Sequence, residues 1–246
     1  MSRVRAKAEA LAKKKLQRQQ RRIDRFFPDE LIEVDGEVYH AREAYPKHLA
    51  FMAAGARYRE RLFCAANRVG KSITGAYETA LHLTGQYPEW WEGKRFERPV
   101  RVWAAGKTWQ KSYEIVQTQL LGPLKGSHAS KRLAGTGMVP GDCITGVSWM
   151  TGMPTIAEMV EIRHVAGGSS TLSIKAYQQG RGAFEGTEQD VIWLDEEPPI
   201  EIYDECLVRT MTRNGVVYLT FTPLDGMTGP VKRFYSDDTE VEALAA

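Results

Sequence analysis

Cysteine is scarce in this sequence, and the cysteines that occur lie far apart. The 246 residues include three of them, Cys64, Cys143 and Cys206, and no Cys-x-x-Cys pair. This count and spacing predict neither a disulfide framework nor a cysteine-based zinc site. The sequence also lacks an apolar run long enough to span a bilayer, and its N-terminus lacks the apolar core of a signal peptide. We therefore expect a protein of a reducing compartment with no membrane partner.

The net charge is also small, but it hides an uneven distribution. The chain carries 33 basic and 31 acidic residues, a formal net charge of +2, whereas residues 1–25 hold ten basic and two acidic residues. We predict a basic N-terminal arm over residues 1–27 and a globular domain over residues 28–246. The arm could bind nucleic acid through phosphate contacts, or it could be a solvated helix that frays at a chain end. The sequence leaves both interpretations open.

The segment Ala-Ala-Asn-Arg-Val-Gly-Lys-Ser is typical of a phosphate-binding loop. A short apolar run at 61–65 leads into it, and residues 73–83 have the apolar spacing of a helix. Backbone N–H groups of such a loop converge with the helix N-terminus on phosphate oxygens. The predicted nucleotide-binding residues are Ala65, Ala66, Asn67, Arg68, Val69, Gly70, Lys71 and Ser72. Lys71 would reach the terminal phosphates of ATP, and Ser72 would bind Mg²⁺. Because Ala65 stands where the motif usually begins with glycine, an ordinary helix N-terminus with a nearby lysine is the alternative.

A second element follows much later in the chain. The apolar run Val-Ile-Trp-Leu at 191–194 predicts a buried strand, and Asp195 and Glu196 come directly after it. At the carboxyl end of a parallel strand these acids would face the crevice in which open α/β sheets bind ligands. We predict that Asp195 binds Mg²⁺ and that Glu196 is the general base for an attacking water. Glu197 is a rival base, but it precedes Pro198 and is pushed toward an extended conformation. A strand simply capped by acidic residues is the alternative.

The whole pattern predicts an α/β fold, a P-loop NTPase of the ASCE or RecA-like type, with a central, mainly parallel β-sheet flanked by helices. Further strands are expected at 100–105, 156–165, 171–177 and 215–223, helices at 46–55, 109–121 and 200–211, and a hairpin at 31–40. Residues 122–152, rich in Gly, Pro, Ser and Thr, are predicted to be a loop. Thr220 and Thr222 could sense the γ-phosphate of ATP or be ordinary strand-end threonines. Trp90 and Trp91 are expected to clamp a surface turn to the domain rather than to stack on bases.

Three motifs together, Ala-Ala-Asn-Arg-Val-Gly-Lys-Ser, Trp-Leu-Asp-Glu-Glu-Pro-Pro and Leu-Thr-Phe-Thr-Pro, carry a family resemblance. Over residues 40–235 the chain resembles the ATPase domain of the large terminase subunit of tailed bacteriophages. The resemblance implies a motor that hydrolyses ATP with Mg²⁺ and drives double-stranded DNA into the procapsid. Through the matching motifs it implies catalytic roles for Lys71 and Glu196, and for Arg68 as an arginine finger acting in cis. Arg181 is a weaker candidate for a finger acting in trans.

The resemblance also implies a coupling role for Thr220 and Thr222, linking hydrolysis to movement. The implied partners are double-stranded DNA, a small terminase subunit, the capsid portal and further copies of the chain in a ring on that portal. The implied location is the host cytoplasm, with transient attachment to the procapsid. The chain could instead be a different DNA-dependent P-loop ATPase, for example a helicase-like enzyme. It could also be a non-hydrolysing nucleotide-binding assembly module, against which the carboxylate of Glu196 argues.

Two features depart from the family pattern. His48 follows Pro46-Lys47 at a place where the family commonly has a glutamine that recognises adenine, which puts the selectivity for ATP in question. Family members also continue into a nuclease domain with clustered acidic metal ligands. Here Asp237, Asp238 and Glu240 look like a solvated tail, and we expect no nuclease activity from this chain.

Overall fold

The computed structural model describes residues 21–126, 132–224 and 226–235, and a seven-stranded sheet forms its centre. The strands are β1 Ile32–Val34, β2 Glu37–Tyr39, β3 Glu60–Cys64, β4 Arg101–Gly106, β5 Leu124–Lys125, β6 Arg132–Leu133, β7 Ile144–Met150, β8 Met153–Arg163, β9 Ser169–Ala176, β10 Val191–Asp195 and β11 Val216–Phe221. The helices are α1 Arg22–Arg25, α2 Pro46–Ala53, α3 Lys71–Thr84, α4 Trp109–Lys111, α5 Thr118–Leu121, α6 Ile200–Met211 and α7 Gly229–Tyr235. These elements confirm the predicted α/β fold.

The large sheet has the strand order β3-β11-β10-β4-β9-β8-β7. The strands from β3 to β9 in this order are parallel, whereas β8 and β7 add to the β9 side in antiparallel orientation. Parallel neighbours end at the same edge of a sheet, so the chain segments after β3, β10 and β11 meet there. The strand β11 lies between the other two, and its register pairs Thr220 with Asp195 and Phe221 with Cys64.

Side chains alternate between two apolar cores, one on each face of the sheet. On β10, Val191 and Trp193 enter the core that contains α3, while Ile192 and Leu194 enter the core that contains α6. Every residue of β10 and β11 is buried, which explains why these strands have continuous apolar sequences rather than alternating ones. Packing on both faces of the sheet therefore holds β10, and with it Asp195 at the end of this strand, in place.

The prediction of a loop over residues 122–152 is wrong for part of that range. Ile144–Met150 forms the edge strand β7, which pairs with β8 through several register shifts. Such shifts break the two-residue alternation of side chains, and most of β7 is half-buried, so no strand pattern was visible in the sequence. The predicted helix 109–121 is present, but its middle section Ser112–Gln117 is a π-helical segment.

The described end of the predicted basic arm packs on the domain. The helix α1 places Ile23 in the core, and Phe27 is 5% exposed with a left-handed φ of 55°. Trp90 stacks against Tyr77, and Trp91 is buried in the same core, consistent with the expected clamp. Residues 1–20 lie outside the described residues. Within the described part of the chain, no helix combines the length and apolar character needed to cross a membrane.

Candidate nucleotide-binding site

The predicted phosphate-binding loop connects β3 to α3 at the shared edge of the sheet. Gly70 precedes α3 with a left-handed φ of 88°, and Arg68 also has a left-handed φ, of 65°. The Lys71 ammonium donates to the carbonyl oxygen of Ala66 at 2.6 Å and to the hydroxyl of Thr222 at 2.9 Å. Burial lowers the pKa of Lys71, and the nearby Asp195 carboxylate partly offsets this effect. The loop therefore presents a partly buried ammonium at the cleft, where its attraction to an anion is screened less than in bulk water.

Asp195 is held at the tip of β10 by two hydroxyl groups. Thr220 donates to its Oδ1 at 2.7 Å, and Ser72 from the start of α3 also hydrogen-bonds to the carboxylate. Burial raises the pKa of Asp195 to about 6 even though these two hydrogen bonds act in the opposite direction. Thr220 in turn accepts a hydrogen bond from the indole of Trp193 at 2.8 Å, so the orientation of the carboxylate is fixed from the core.

This arrangement fits a magnesium ion. The hydroxyl of Ser72 and the carboxylate of Asp195 are hard oxygen ligands, they are within hydrogen-bonding reach of each other, and both line the cleft. A buried carboxylate with a raised pKa gains from a nearby cation, because the cation compensates the lost hydration of the charged form. Residues 21–126, 132–224 and 226–235, this cleft included, contain no group of three or more His, Cys, Asp and Glu side chains that could hold a metal, so the fit rests on one carboxylate and one hydroxyl.

The two glutamates after Asp195 have different environments. Glu196 has a left-handed φ of 63°, its N–H donates to the carbonyl oxygen of Thr220 at 3.1 Å, and its own carbonyl accepts from the Tyr177 hydroxyl at 3.1 Å. Its carboxylate accepts no hydrogen bond from the described residues and lines the cleft. The carboxylate of Glu197 instead accepts a hydrogen bond from the Thr228 hydroxyl. This difference supports the preference for Glu196 as the group that activates water, although both side chains are half-buried at the cleft.

A cleft of about 890 Å³ opens at this edge of the sheet. Among the predicted site residues, those that line it are Asn67, Arg68, Gly70, Lys71, Ser72, Asp195, Glu196, Thr220 and Thr222. Ala65, Ala66 and Val69 do not line the cleft; their carbonyl oxygens accept hydrogen bonds from the side chains of Thr222, Lys71 and His48. The structure thus brings together the loop, the acid pair and the strand-end threonines, which are far apart in the sequence.

The two threonines of β11 differ in what they contact. Thr220 is 1% exposed and hydrogen-bonds to Asp195 and Trp193. Thr222 instead lies within hydrogen-bonding distance of several groups of the phosphate-binding loop. The Thr222 hydroxyl lies 2.8 Å from the carbonyl oxygen of Ala65 and accepts from Lys71. Thr220 therefore orients the acid, and Thr222 connects β11 to the loop.

Sequence reasoning missed several residues of the cleft. Tyr177, at the end of β9, donates its hydroxyl to the carbonyl oxygens of Asp195 and Glu196, at 2.9 and 3.1 Å. Lys107 and Gln178 follow β4 and β9 and also line the cleft. The available signal was positional, because each of these polar residues comes just after a buried strand that is parallel to β10.

Arg181 lies outside the cleft lining and is bound to acids of its own chain. Its guanidinium contacts Glu205 at 2.9 Å and Glu185 at 3.5 Å. The acidic residues Asp237, Asp238 and Glu240 lie outside the described residues, so the expectation about nuclease activity stays a prediction.

A parallel sheet with a phosphate-binding loop after β3 and an acid pair at the end of β10 defines a P-loop NTPase. The chain belongs to the terminase large subunit family: the model for the N-terminal part of terminase large subunits of the T4likevirus type matches residues 62–246. The chain is also 36% identical over 219 residues to the large terminase subunit of Salmonella phage P22, an alignment that covers 81% of this chain and 43% of that protein. It therefore spans less than half the length of this relative.

Two solved structures of large terminases also match. The large terminase of bacteriophage HK97 matches with a TM-score of 0.48 at 12% identity, over 82% of this chain and 38% of that one. The large terminase of a thermophilic bacteriophage, in complex with ADP, matches with a TM-score of 0.44 at 12% identity, over 72% of this chain and 38% of that one.

Proposed function

We propose that this chain hydrolyses ATP with Mg²⁺ at the cleft beside β10, and that hydrolysis drives double-stranded DNA into a phage procapsid. The observation that carries the proposal is the meeting of Lys71, Ser72, Asp195 and Glu196 in one cleft. A phosphate-binding loop alone would suit a nucleotide-binding module. Glu196 adds a second carboxylate beside the predicted Mg²⁺ ligand, and this carboxylate accepts no hydrogen bond from the described residues. Such a group favours hydrolysis, because it is available to a water molecule. Membership of the terminase large subunit family supports DNA packaging as the use of that hydrolysis.

In the proposed reaction a water oxygen forms a bond to the γ-phosphorus of ATP, and the bond from that phosphorus to the bridging oxygen breaks, giving ADP and phosphate. Glu196 orients the water and accepts its proton. Lys71 and Arg68 are positioned at the cleft to offset negative charge on the phosphate oxygens. A magnesium ion held by Ser72 and Asp195 would neutralise further charge on the phosphates.

The contacts of Thr222 support a route from the nucleotide to the sheet. The Lys71 ammonium donates to Thr222, and a terminal phosphate would compete for the same ammonium. Binding and loss of that phosphate would therefore strengthen or weaken the link between the loop and β11. This is the coupling role we propose for Thr222, while Thr220 supports it indirectly by holding Asp195.

The proposal includes the partners that such a motor requires. These are double-stranded DNA, a small terminase subunit, the capsid portal and further copies of the chain in a ring, in the host cytoplasm. Arg68 is proposed as the finger acting in cis, because it lines the cleft. Arg181 could act in trans only after leaving its ion pairs with Glu205 and Glu185.

Steady-state phosphate release from Mg·ATP, with and without double-stranded DNA, tests the proposal. The native chain is compared with Lys71→Ala, Glu196→Gln and the matched variant Glu197→Gln. We expect turnover by the native chain, loss of ATP binding in Lys71→Ala, and binding without turnover in Glu196→Gln. Loss of one catalytic proton acceptor corresponds to a fall of roughly 10²- to 10⁴-fold in rate. Glu197→Gln should retain most activity.

Three results would contradict this assignment. Nucleotide binding with no hydrolysis, even at concentrations that permit assembly, would favour the assembly module. Strand separation stimulated by DNA would favour a helicase-like enzyme. A stall in Glu197→Gln with normal turnover in Glu196→Gln would move the base to Glu197.

A further inference from the structure

The side chain of His48, on α2, contacts the backbone of the phosphate-binding loop. Its Nε2 lies 2.8 Å from the carbonyl oxygen of Val69. Because a carbonyl oxygen can only accept, Nε2 carries the hydrogen of this contact, and in the neutral ring Nδ1 is the unprotonated nitrogen. A Cβ atom built on Gly70 would lie 3.2 Å from the same Nε2, so the ring and the loop are in close contact.

The imidazole ring is held in place by aromatic neighbours. The ring centroids of Phe63, Tyr45 and Phe27 lie 5.0, 5.4 and 6.4 Å from that of His48. The Nδ1 atom is buried without a hydrogen-bond partner in the described part of the chain, so a proton there would have no acceptor. Burial lowers the pKa of His48, which keeps the ring neutral with its donor at Nε2.

The direction of this hydrogen bond determines where the next N–H points. In a trans peptide the C=O and N–H of one unit point in opposite directions. The carbonyl of Val69 and the N–H of Gly70 belong to one such unit, and the structure contains no cis peptide bond in its described residues. With the carbonyl bound to His48, the N–H of Gly70 is directed away from it. Gly70 lines the cleft, whereas Val69 and His48 do not.

We propose that His48 is a positioning residue that aims the Gly70 N–H of the phosphate-binding loop at the phosphates, rather than a residue that recognises adenine. This inference rests on the proposed function of the cleft. The imidazole N–H already donates to the carbonyl oxygen of Val69, so it is not available to an adenine base. The ligand class served by His48 is therefore the polyphosphate, whatever base is attached.

The test compares His48→Leu, which removes the donor and keeps an apolar side chain, with His48→Gln, whose amide keeps an N–H donor. Leu49→Ala, a neighbour on α2 that packs on the core, controls for general loosening of the helix. Dissociation constants are measured for Mg·ATP, Mg·GTP and inorganic tripolyphosphate, alongside thermal unfolding without ligand. We expect His48→Leu to weaken all three ligands by about the same factor, roughly three- to tenfold, the net worth of one hydrogen bond. We expect His48→Gln and Leu49→Ala to bind as the native chain does.

Four results would overturn the inference. Weakening of ATP alone in His48→Leu would overturn the inference in favour of base recognition. Native binding by His48→Leu, with binding lost in Lys71→Ala, would overturn the inference and leave the proposed function standing. Equal weakening in Leu49→Ala would assign the effect to helix packing and also overturn it. If the native chain bound none of the three ligands, the proposed function would fail and this inference with it.

Discussion

Replacing Thr220 by valine removes one hydroxyl that serves two buried partners. It donates to Asp195 at 2.7 Å and accepts from the indole of Trp193 at 2.8 Å. Thr220 is 1% exposed and Trp193 is 0% exposed, so bulk water cannot replace the lost contacts. Valine keeps the shape of the side chain and leaves the indole N–H unsatisfied, which costs about 1–3 kcal/mol. With the smaller loss at Asp195, which keeps Ser72, we expect the free energy of unfolding to fall by about 2–3 kcal/mol.

Urea denaturation followed by circular dichroism measures this change, with Thr220→Ser as the matched variant that keeps the hydroxyl. A double-mutant cycle with Trp193→Phe isolates the hydrogen bond, because removing both partners leaves no unsatisfied donor. We expect the two substitutions to be non-additive by about 1 kcal/mol or more. A loss below about 0.5 kcal/mol in Thr220→Val, the size expected of an ordinary surface substitution, would refute the reasoning. An additive cycle would do the same.

Three further substitutions test the environment of the site. Burial raises the pKa of Asp195 to about 6, so the stability that its protonated form contributes is present at low pH and is lost as the pH rises from about 4 to about 6. In urea titrations, Asp195→Asn should remove this pH dependence and should be more stable than the native chain at pH 8 by up to about 3 kcal/mol. Gly75→Ala places a Cβ closer than 3.0 Å to the Trp193 indole nitrogen, so thermal melts should show a loss of about 1–3 kcal/mol. Glu78→Gln leaves the buried Arg61 guanidinium without its carboxylate partner, and urea unfolding should show a loss of about 3–5 kcal/mol.

Matched variants make these predictions specific. Asp204→Asn, which changes an exposed acid on α6, is the matched control for the loss of one carboxylate. Gly182→Ala meets no atom within 4 Å and should be close to neutral. A native-like pH profile in Asp195→Asn, or native stability in Gly75→Ala, would contradict the packing described around β10. Native stability in Glu78→Gln would mean that the Arg61 charge is solvated rather than buried.

The fold was predictable where its signal was local. The loop from Ala65 to Ser72 is recognisable within eight consecutive residues, and β10 and β11 have apolar runs because both of their faces are covered. The edge strand β7 has no such signal, because its pairing with β8 contains shifts that cancel the alternation. Local patterns cannot reveal a strand whose regularity depends on its partner.

The predicted residues of the site were those that belong to continuous motifs, and the missed contacts join residues that are well separated in the sequence. Tyr177 fixes the backbone after β10 from the end of β9, and His48 reaches Val69 from α2. Neither residue type at its position indicates such a contact. Only the strand order, which brings β9 and β10 to the same edge with β4 between them, makes the contact of Tyr177 possible.

Asp195 and Glu196 show what the order of residues alone could not decide. Both are carboxylates at the end of one strand, yet the last ladder position makes Asp195 a buried group bound by hydroxyls, whereas Glu196 leaves the strand with a left-handed φ of 63°. Such a conformation costs a residue with a side chain about 1–2 kcal/mol, and it persists here because Tyr177 and Thr220 hold the backbone of Glu196 on both sides. In this left-handed conformation Glu196 leaves the strand, and its side chain lines the cleft. A metal ligand has to be fixed and a base has to face water, and the change of backbone conformation between these two adjacent residues gives each acid the environment that its proposed role requires.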